Sequence, residues 1–556
     1  MFQETSCESK SGQKSANEAI RLIDLQIANL HKSIRVLNNQ RNTHLPILTL
    51  PVEILTKIFL LHQHNVTVQM QTLDWIRITH VSQRWREIAL NFSGLWIHIS
   101  FHRTKWAKEM IVHSQHACPI INIYIPLLNP SQAQLLKSFL QQHLSHFQVL
   151  EISDTNPQLL AKLFQDIQPI SVLCLSTLRL SVQWQALGTK PSAGLDLLQI
   201  VDSRLLNANS LRKLNVSITP RWDLNLFSSL THLKLGDGHD MPRTQTSQRE
   251  FLDALRRMPN LQSLHLNGPA LPEAVDTSSI EPVHLPDLQD LNVLDTVPII
   301  EFFLHHVTFP PTTRTAIGCR HPDPVLQLAN ISLIIVLLKR LLSERPHGLK
   351  LHHIEFVCFE ETDKWDLKVE GWVSAGCSSL KGYDPSSAAD FTFFVEWDSY
   401  QVDTLSPIDE LSVGMFGIFP LDDVVSLLLS SYDDTCYRHF ACKIGQLLVL
   451  NTLYLSYIAS APFLQELNCD APQERDDPSI PTYPALRCLD FSDHHIRIDV
   501  PGLTTLYNCL KKRSELSLGP EKLKIDLHVL RKLDKMTTAL LEKVVEVESV
   551  RNNLNS

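Results

Sequence analysis

The chain has 556 residues, 44% of them hydrophobic and 20% charged, the balance of a globular protein with material for two to four domains. Its net charge of −9 argues against nucleic acid as a main partner. The most apolar run, "ISLIIVLL" at 331 to 338, is far shorter than the ~20 residues a membrane helix needs, so no membrane association is expected.

The N-terminus, "MFQETSCESKSGQKSANEA", lacks the apolar core of a signal peptide. Eleven cysteines without a C-x-x-C pair fit free thiols better than a disulfide frame. Both observations point to a cytoplasmic or nuclear protein. The sequons at Asn65, Asn91, Asn215 and Asn330 then carry no meaning.

Residues 1–17 are small and polar, and a disordered tail is expected there. Over 18–44 a helical seam follows: Ile20, Ile23, Ile27, Leu30, Ile34 and Leu37 are spaced 3, 4, 3, 4, 3, the a/d pattern of a coiled coil. Two readings stay open. The helix packs on its own chain, or it pairs with a second protomer.

"NTHLPILTLP" breaks that helix and starts another. Pro51 suits a first helical position, and Glu53 places a negative charge at the positive end of the helix dipole. At 100° per residue, Val52, Ile54, Leu55, Ile58, Phe59 and Leu61 fill about half the circumference. One supporting helix does not usually cover so wide an arc. In "TLDWIRITHVSQRWREIALNFSGLWIHIS", Ile78, Val81, Trp85 and Ile88 form a narrow stripe on one or two short helices, and "NFSG" ends it.

From about 101 to 520 an apolar-x-x-apolar-x-apolar motif recurs. It starts at 147, 175, 211, 230, 261, 288, 351, 408, 450, 464 and 486. Steps of 63 and 57 residues read as two repeats, and the 14-residue step implies that 450 or 464 is spurious. Helix-like stretches such as "SQREFLDALRRMPN" lie between. The expectation is a leucine-rich-repeat-like α/β solenoid, each unit stacking on its neighbours. The basic triplet Lys511-Lys512-Arg513 reads as a solvated turn, and 521–556 as an amphipathic capping helix.

Leu50, Pro51, Glu53, Ile54, Leu55, Ile58 and Phe59, then Val81, Ser82, Trp85, Arg86, Ile88 and Ala89, then Leu95-Trp96, resemble an F-box over 45–100. Ser82 stands where the family often has Cys, and the stretch between the blocks is longer than in a minimal F-box. Both the long spacing and the preceding helix resemble the fungal F-box-like group. The resemblance implies a three-helix unit that binds the Skp-type adaptor of a cullin-RING ubiquitin ligase, followed by a domain that holds a protein substrate. It assigns adaptor docking to Leu50, Pro51, Ile54, Leu55, Ile58 and Phe59, with Val81 and Trp85 completing the surface. The alternative is a non-catalytic scaffold that works without a cullin.

Catalytic signatures are missing from the sequence. It has neither a Gly-rich phosphate loop nor a G-x-S-x-G elbow, so no enzyme and no cofactor is expected. His113-x-x-His116-x-Cys118 fits no standard zinc spacing, and the C-x5-C of "CYRHFAC" reads as two thiols. A hydrolase or transferase on the α/β region is the remaining rival. If the solenoid holds, residues between the motif leucines face one side of the sheet. Lys213, Lys234, His265, Asp290 and Glu355 are the resulting substrate-surface candidates.

Overall fold

The computed structural model describes residues 8–550 apart from 71–72, 102, 115–116, 118, 125–129, 155–156, 183–196, 218–220, 237–242, 244–245, 274–279, 322–326, 344–349, 362–363, 374–388, 399–410, 412–413, 416, 432–443, 457–466, 468–481, 492–499 and 527–534. The chain divides into two units, Met1–Asp154 with Asp166–Arg179, and Thr155–Gln165 with Leu180–Ser556. The class is mixed α/β, as expected.

The first unit opens with a 36-residue helix, α1 (Glu8–Thr43). It begins well inside the segment expected to be disordered. Residues 8–17 contain no proline, and their Glu, Lys, Gln and Ala are good helix formers, so the helix extends backwards from the seam at little cost. A short 3-10 turn at Pro46–Leu48 separates α1 from α2 (Val52–Met70). The break follows from the prolines: the Pro46 carbonyl accepts from the Thr49 backbone N–H and the Thr49 Oγ1 hydroxyl.

A 3-10 segment, Asp74–His80, leads to α3 (Gln83–Asn91), capped by the Ser82 side chain, which accepts from the Trp85 N–H. Three parallel strands follow. These are β1 (His98–Ser100), β2 (Ile120–Tyr124) and β3 (Val149–Asp154), with His98 opposite Ile120 and Ile120 opposite Val149. Parallel neighbours require crossovers, and the helices Thr104–Ser114 and Pro130–His143 supply them.

The motif at 175 becomes β4 (Thr177–Val182). In the second unit the recurrent motif becomes a parallel ladder. It runs β5 (Lys213–Val216), β6 (His232–Leu235), β7 (Ser263–Asn267), β8 (Asp290–Asp295) and β9 (Arg314–His321). Then its order changes. The strands β10 (His353–Glu361), β11 (Lys364–Trp372) and β12 (Phe391–Asp398) form an antiparallel meander. It enters the sheet reversed, so that β9 pairs with β12 and β10 pairs with the next strand, β13 (Ser426–Ser431). The ladder resumes in parallel through β14 (Thr452–Ser456), β15 (Cys488–Phe491), β16 (Lys522–Asp526) and β17 (Glu546–Val550).

Gly318 admits the meander. It stands opposite Phe394, and a Cβ there would collide with the Phe394 ring and with Leu294.

Apart from 408 and 464, every motif starts its strand at the motif's third residue. Side chains at motif positions one, four and six are at most 2% exposed, while positions three and five point to the opposite face, as a period of two requires. The motif at 408 lies mostly outside the described residues, with Leu411 helical; so does that at 464, where Leu467 is helical. The expected C-terminal helix over 521–556 is not formed. Lys535–Leu541 is a short helix, and Glu546–Val550 is a strand paired with β16. Its alternating Val and Glu suit a half-buried strand better than a helix face.

Candidate functional site

The helix α2 has two apolar faces. Leu55, Phe59 and Gln63, four residues apart, turn inward and are fully or almost fully buried. Gln63 donates through Nε2 to the Leu95 carbonyl at 2.6 Å, so the one polar group on this face is satisfied. Ile54, Ile58 and Leu61 recur at i, i+4 and i+7 on a different face and remain 41%, 36% and 65% exposed. Pro51, seven residues before Ile58, continues this face at its start and is exposed; Val52, in line with Phe59, is exposed at the helix start as well.

The inward face is closed by the second sequence block. The Phe59 ring meets Trp85 edge-on, with centroids 5.0 Å apart. Trp75 and Trp96 form a similar pair at 5.2 Å. Trp96 donates to the Ala89 carbonyl at 2.7 Å, and its ring lies 4.6 Å from that of His113. Two arginines bind backbone rather than carboxylates: Arg84 donates to the Leu50 carbonyl at 2.7 Å, and Arg86 to the Thr79 carbonyl at 2.8 Å. Arg84 thereby fixes the Leu-Pro entry to α2. Burial pushes the His98 imidazole below the ordinary His value, with a smaller contribution from His64.

This geometry sorts the residues named from sequence. Leu55 and Phe59 were expected at a docking surface but lie in the core, because the arc calculation could not say which half of it faces Trp85. Trp85 is also mainly internal, half-buried against Phe59, and its buried Nε1 has no hydrogen-bond partner among the described residues. Leu50 is half-buried, while Pro51, Ile54, Ile58 and Val81 are exposed. Leu61, Val52, Leu45 and Ile47 are exposed apolar residues that were not named as docking residues. The signal for Leu61 and Val52 was present in the same arc.

The substrate-surface candidates fall in register. Lys213 stands opposite His232, Lys234 opposite His265, and Asp290 opposite Ser263 and Arg314. They line one polar face of the ladder. Asp290 is engaged there by Arg314 at 2.8 Å. Burial pushes the His232 imidazole down; Lys213 adds to this and Asp290 opposes it. Glu355 does not join them as an open group. It is buried, and its carboxylate accepts from His353 at 3.1 Å; its neighbours in register are Glu370 of β11 and Leu428 of β13. His116, Cys118 and "CYRHFAC" lie outside the described residues.

Among the described residues no group of three or more His, Cys, Asp or Glu could hold a metal, and no helix is long and apolar enough to cross a membrane. What 45–100 does offer is a helical domain with a packed interior and a second apolar face turned to solvent, which is the make-up of a protein-interaction module. Residues 47–102 match the family model for F-box-like domains, so the chain carries an F-box-like domain. Domains of this family commonly bind Skp-type adaptors. No curated protein matches the chain.

Proposed function

We propose that this protein is a non-catalytic substrate receptor of a Skp-cullin-F-box type ubiquitin ligase. The F-box-like domain docks on a Skp-type adaptor and through it on a cullin, and the α/β region holds a protein substrate. The observation that carries the reading is the outward face of α2, where Ile54, Ile58 and Leu61 stay exposed while Leu55 and Phe59 are buried. A helix in a groove is recognised by such i, i+4, i+7 anchors. Val81, 54% exposed between the 3-10 segment and the cap of α3, extends the surface. The work of such a receptor is proximity: binding at both ends raises the effective concentration of substrate at the ligase.

The substrate end is proposed for the polar face of the leucine-rich-repeat-like ladder, around Lys213, Lys234, His265 and Asp290. These residues share adjacent strands in register. The site of action is proposed to be cytoplasmic or nuclear, with neither nucleic acid nor membrane as partner. Co-purification of the full chain with a tagged Skp-type adaptor and a cullin tests this. The expected result is a ternary complex that Ile54→Ala with Ile58→Ala abolishes. Adaptor binding without a cullin would mean a scaffold instead, and no adaptor binding would overturn the reading.

A further inference from the structure

Among the described residues, none covers the seam of α1. Ile20, Ile23, Ile27, Leu30, Ile34 and Leu37 are all between 46% and 63% exposed, although the helix is continuous over Glu8–Thr43. At 1.5 Å per residue α1 is roughly 54 Å long. A lone helix gains little from its own backbone bonds, and most helical stability comes from packing an apolar face. This helix has such a face, and none of the described residues packs upon it.

We propose that α1 pairs with α1 of a second copy of this protein, forming a two-stranded coiled coil. Three features of the seam select that occupant. Isoleucine fills the three a positions (20, 27, 34) and leucine two of the three d positions (30, 37), the combination that favours two strands over three or four in parallel coils. The flanking e and g positions between 19 and 40 are Ala19, Asp24, Gln26, His31, Ser33, Asn38 and Gln40. Asp24 is the only carboxylate or Lys/Arg among them, so two identical helices meet without like-charge repulsion. A seam built to choose a different partner carries complementary charges there.

The third feature is area. Each seam residue keeps on the order of 100 Å² in water. A pair of seams therefore buries about 1,200 Å² in total, at the lower end of what specific stable interfaces use. The consequence is a receptor with two F-box-like domains.

The test uses the full chain, purified alone, by sedimentation equilibrium and light scattering at micromolar concentration. A particle of twice the 63.2 kDa chain mass is expected. Ile27→Asp with Leu30→Asp should raise the dimer dissociation constant by at least ~100-fold, because charges are then buried at the seam's centre. Leu22→Lys with Leu25→Lys, on exposed residues off the seam, should leave the dimer intact. Far-UV dichroism and the thermal melt of the remainder should match in both variants, which separates unpairing from misfolding. A monomeric wild-type chain at tens of micromolar overturns the proposal. So does a dimer that survives the aspartate pair, or one that the Leu22/Leu25 variant also loses. A stoichiometric coil with a different protein, in place of self-pairing, overturns it equally.

Discussion

The division of α2 into a packed face and an open face makes a prediction with opposite signs on adjacent residues. Phe59 is fully buried and meets Trp85 at 5.0 Å. Phe59→Ala should destabilise the domain by about 3–5 kcal/mol, the usual range for removing a core ring, of which ~0.5–1.5 kcal/mol belongs to the ring pair. Ile58, one residue earlier, is about one-third exposed, and Ile54 slightly more. Ile54→Ala with Ile58→Ala removes much less buried area, so a loss of about 1–2 kcal/mol is expected. Adaptor binding should respond the other way round. Two anchors truncated in a groove cost roughly 1–2 kcal/mol each, which is about 30- to 1,000-fold in Kd. Urea unfolding followed by tryptophan fluorescence gives the first quantity, and titration calorimetry against a purified Skp-type adaptor gives the second. Undiminished adaptor affinity in the double alanine variant would refute the assignment of the open face. An unchanged unfolding midpoint for Phe59→Ala would refute the packing argument.

Other predictions concern caps, buried pairs and protons. Ser82→Ala removes the oxygen that receives the Trp85 N–H at 3.1 Å and should cost about 1 kcal/mol, read as a lower unfolding midpoint that Ser82→Asp largely restores. Asp295 is almost wholly buried and held in a two-pronged pair by Arg243 at 2.7 and 2.8 Å; Asp295→Ala should cost about 3–5 kcal/mol, and a loss under ~1 kcal/mol would contradict the pairing. His98, His143 and His232 all have imidazoles held below the ordinary His value, mainly by burial. A lowered folded pKa means that the unfolded chain takes up the proton first. Their effect is therefore absent above about pH 7 and grows as pH falls below the ordinary value near 6.5. Urea midpoints should fall between pH 7.5 and pH 5.5, and less steeply in His232→Asn.

Much of this architecture is readable in the residues, for a stated physical reason. Motif positions one, four and six bury their side chains on one face, and a parallel ladder needs the same pleat in each strand. A simple spacing rule therefore finds β3 to β8, β10, β14 and β15. The 63-residue step hid β9, whose "RTAIGCRH" places Thr315 opposite Leu291 of β8, a polar residue where the rule wants an apolar one. The 57-residue step hid a change of direction. A meander strand such as β12, "FTFFVEWD", looks like any other buried strand, and pairing partners distant in sequence leave no local mark. The docking face was half legible. The width of the apolar arc implied two neighbours, but only tertiary contacts could say that Leu55 and Phe59 belong to the inner one. Glu355 shows the same limit: it stands between buried motif residues, and its own burial is a tertiary property that the spacing does not encode.

The two open apolar surfaces of the first unit should act independently. Leu30 and Thr43 are 13 residues apart on one helix, about 20 Å, and the 3-10 turn and Leu50-Pro51 intervene before Ile54. Sites more than about 10 Å apart with no shared contacts usually add in free energy. A chain carrying Ile27→Asp and Leu30→Asp should thus bind a Skp-type adaptor in solution with wild-type affinity per protomer. On a surface densely coated with adaptor the outcome changes. A dimer with two F-box-like domains rebinds before it leaves, so its apparent dissociation should be at least ~100-fold slower than that of the unpaired variant. Ile54→Ala with Ile58→Ala should weaken binding in both formats and leave the dimer mass unchanged. Loss of solution affinity in the aspartate variant would mean that α1 contributes to the adaptor surface itself and that the two faces are not separate.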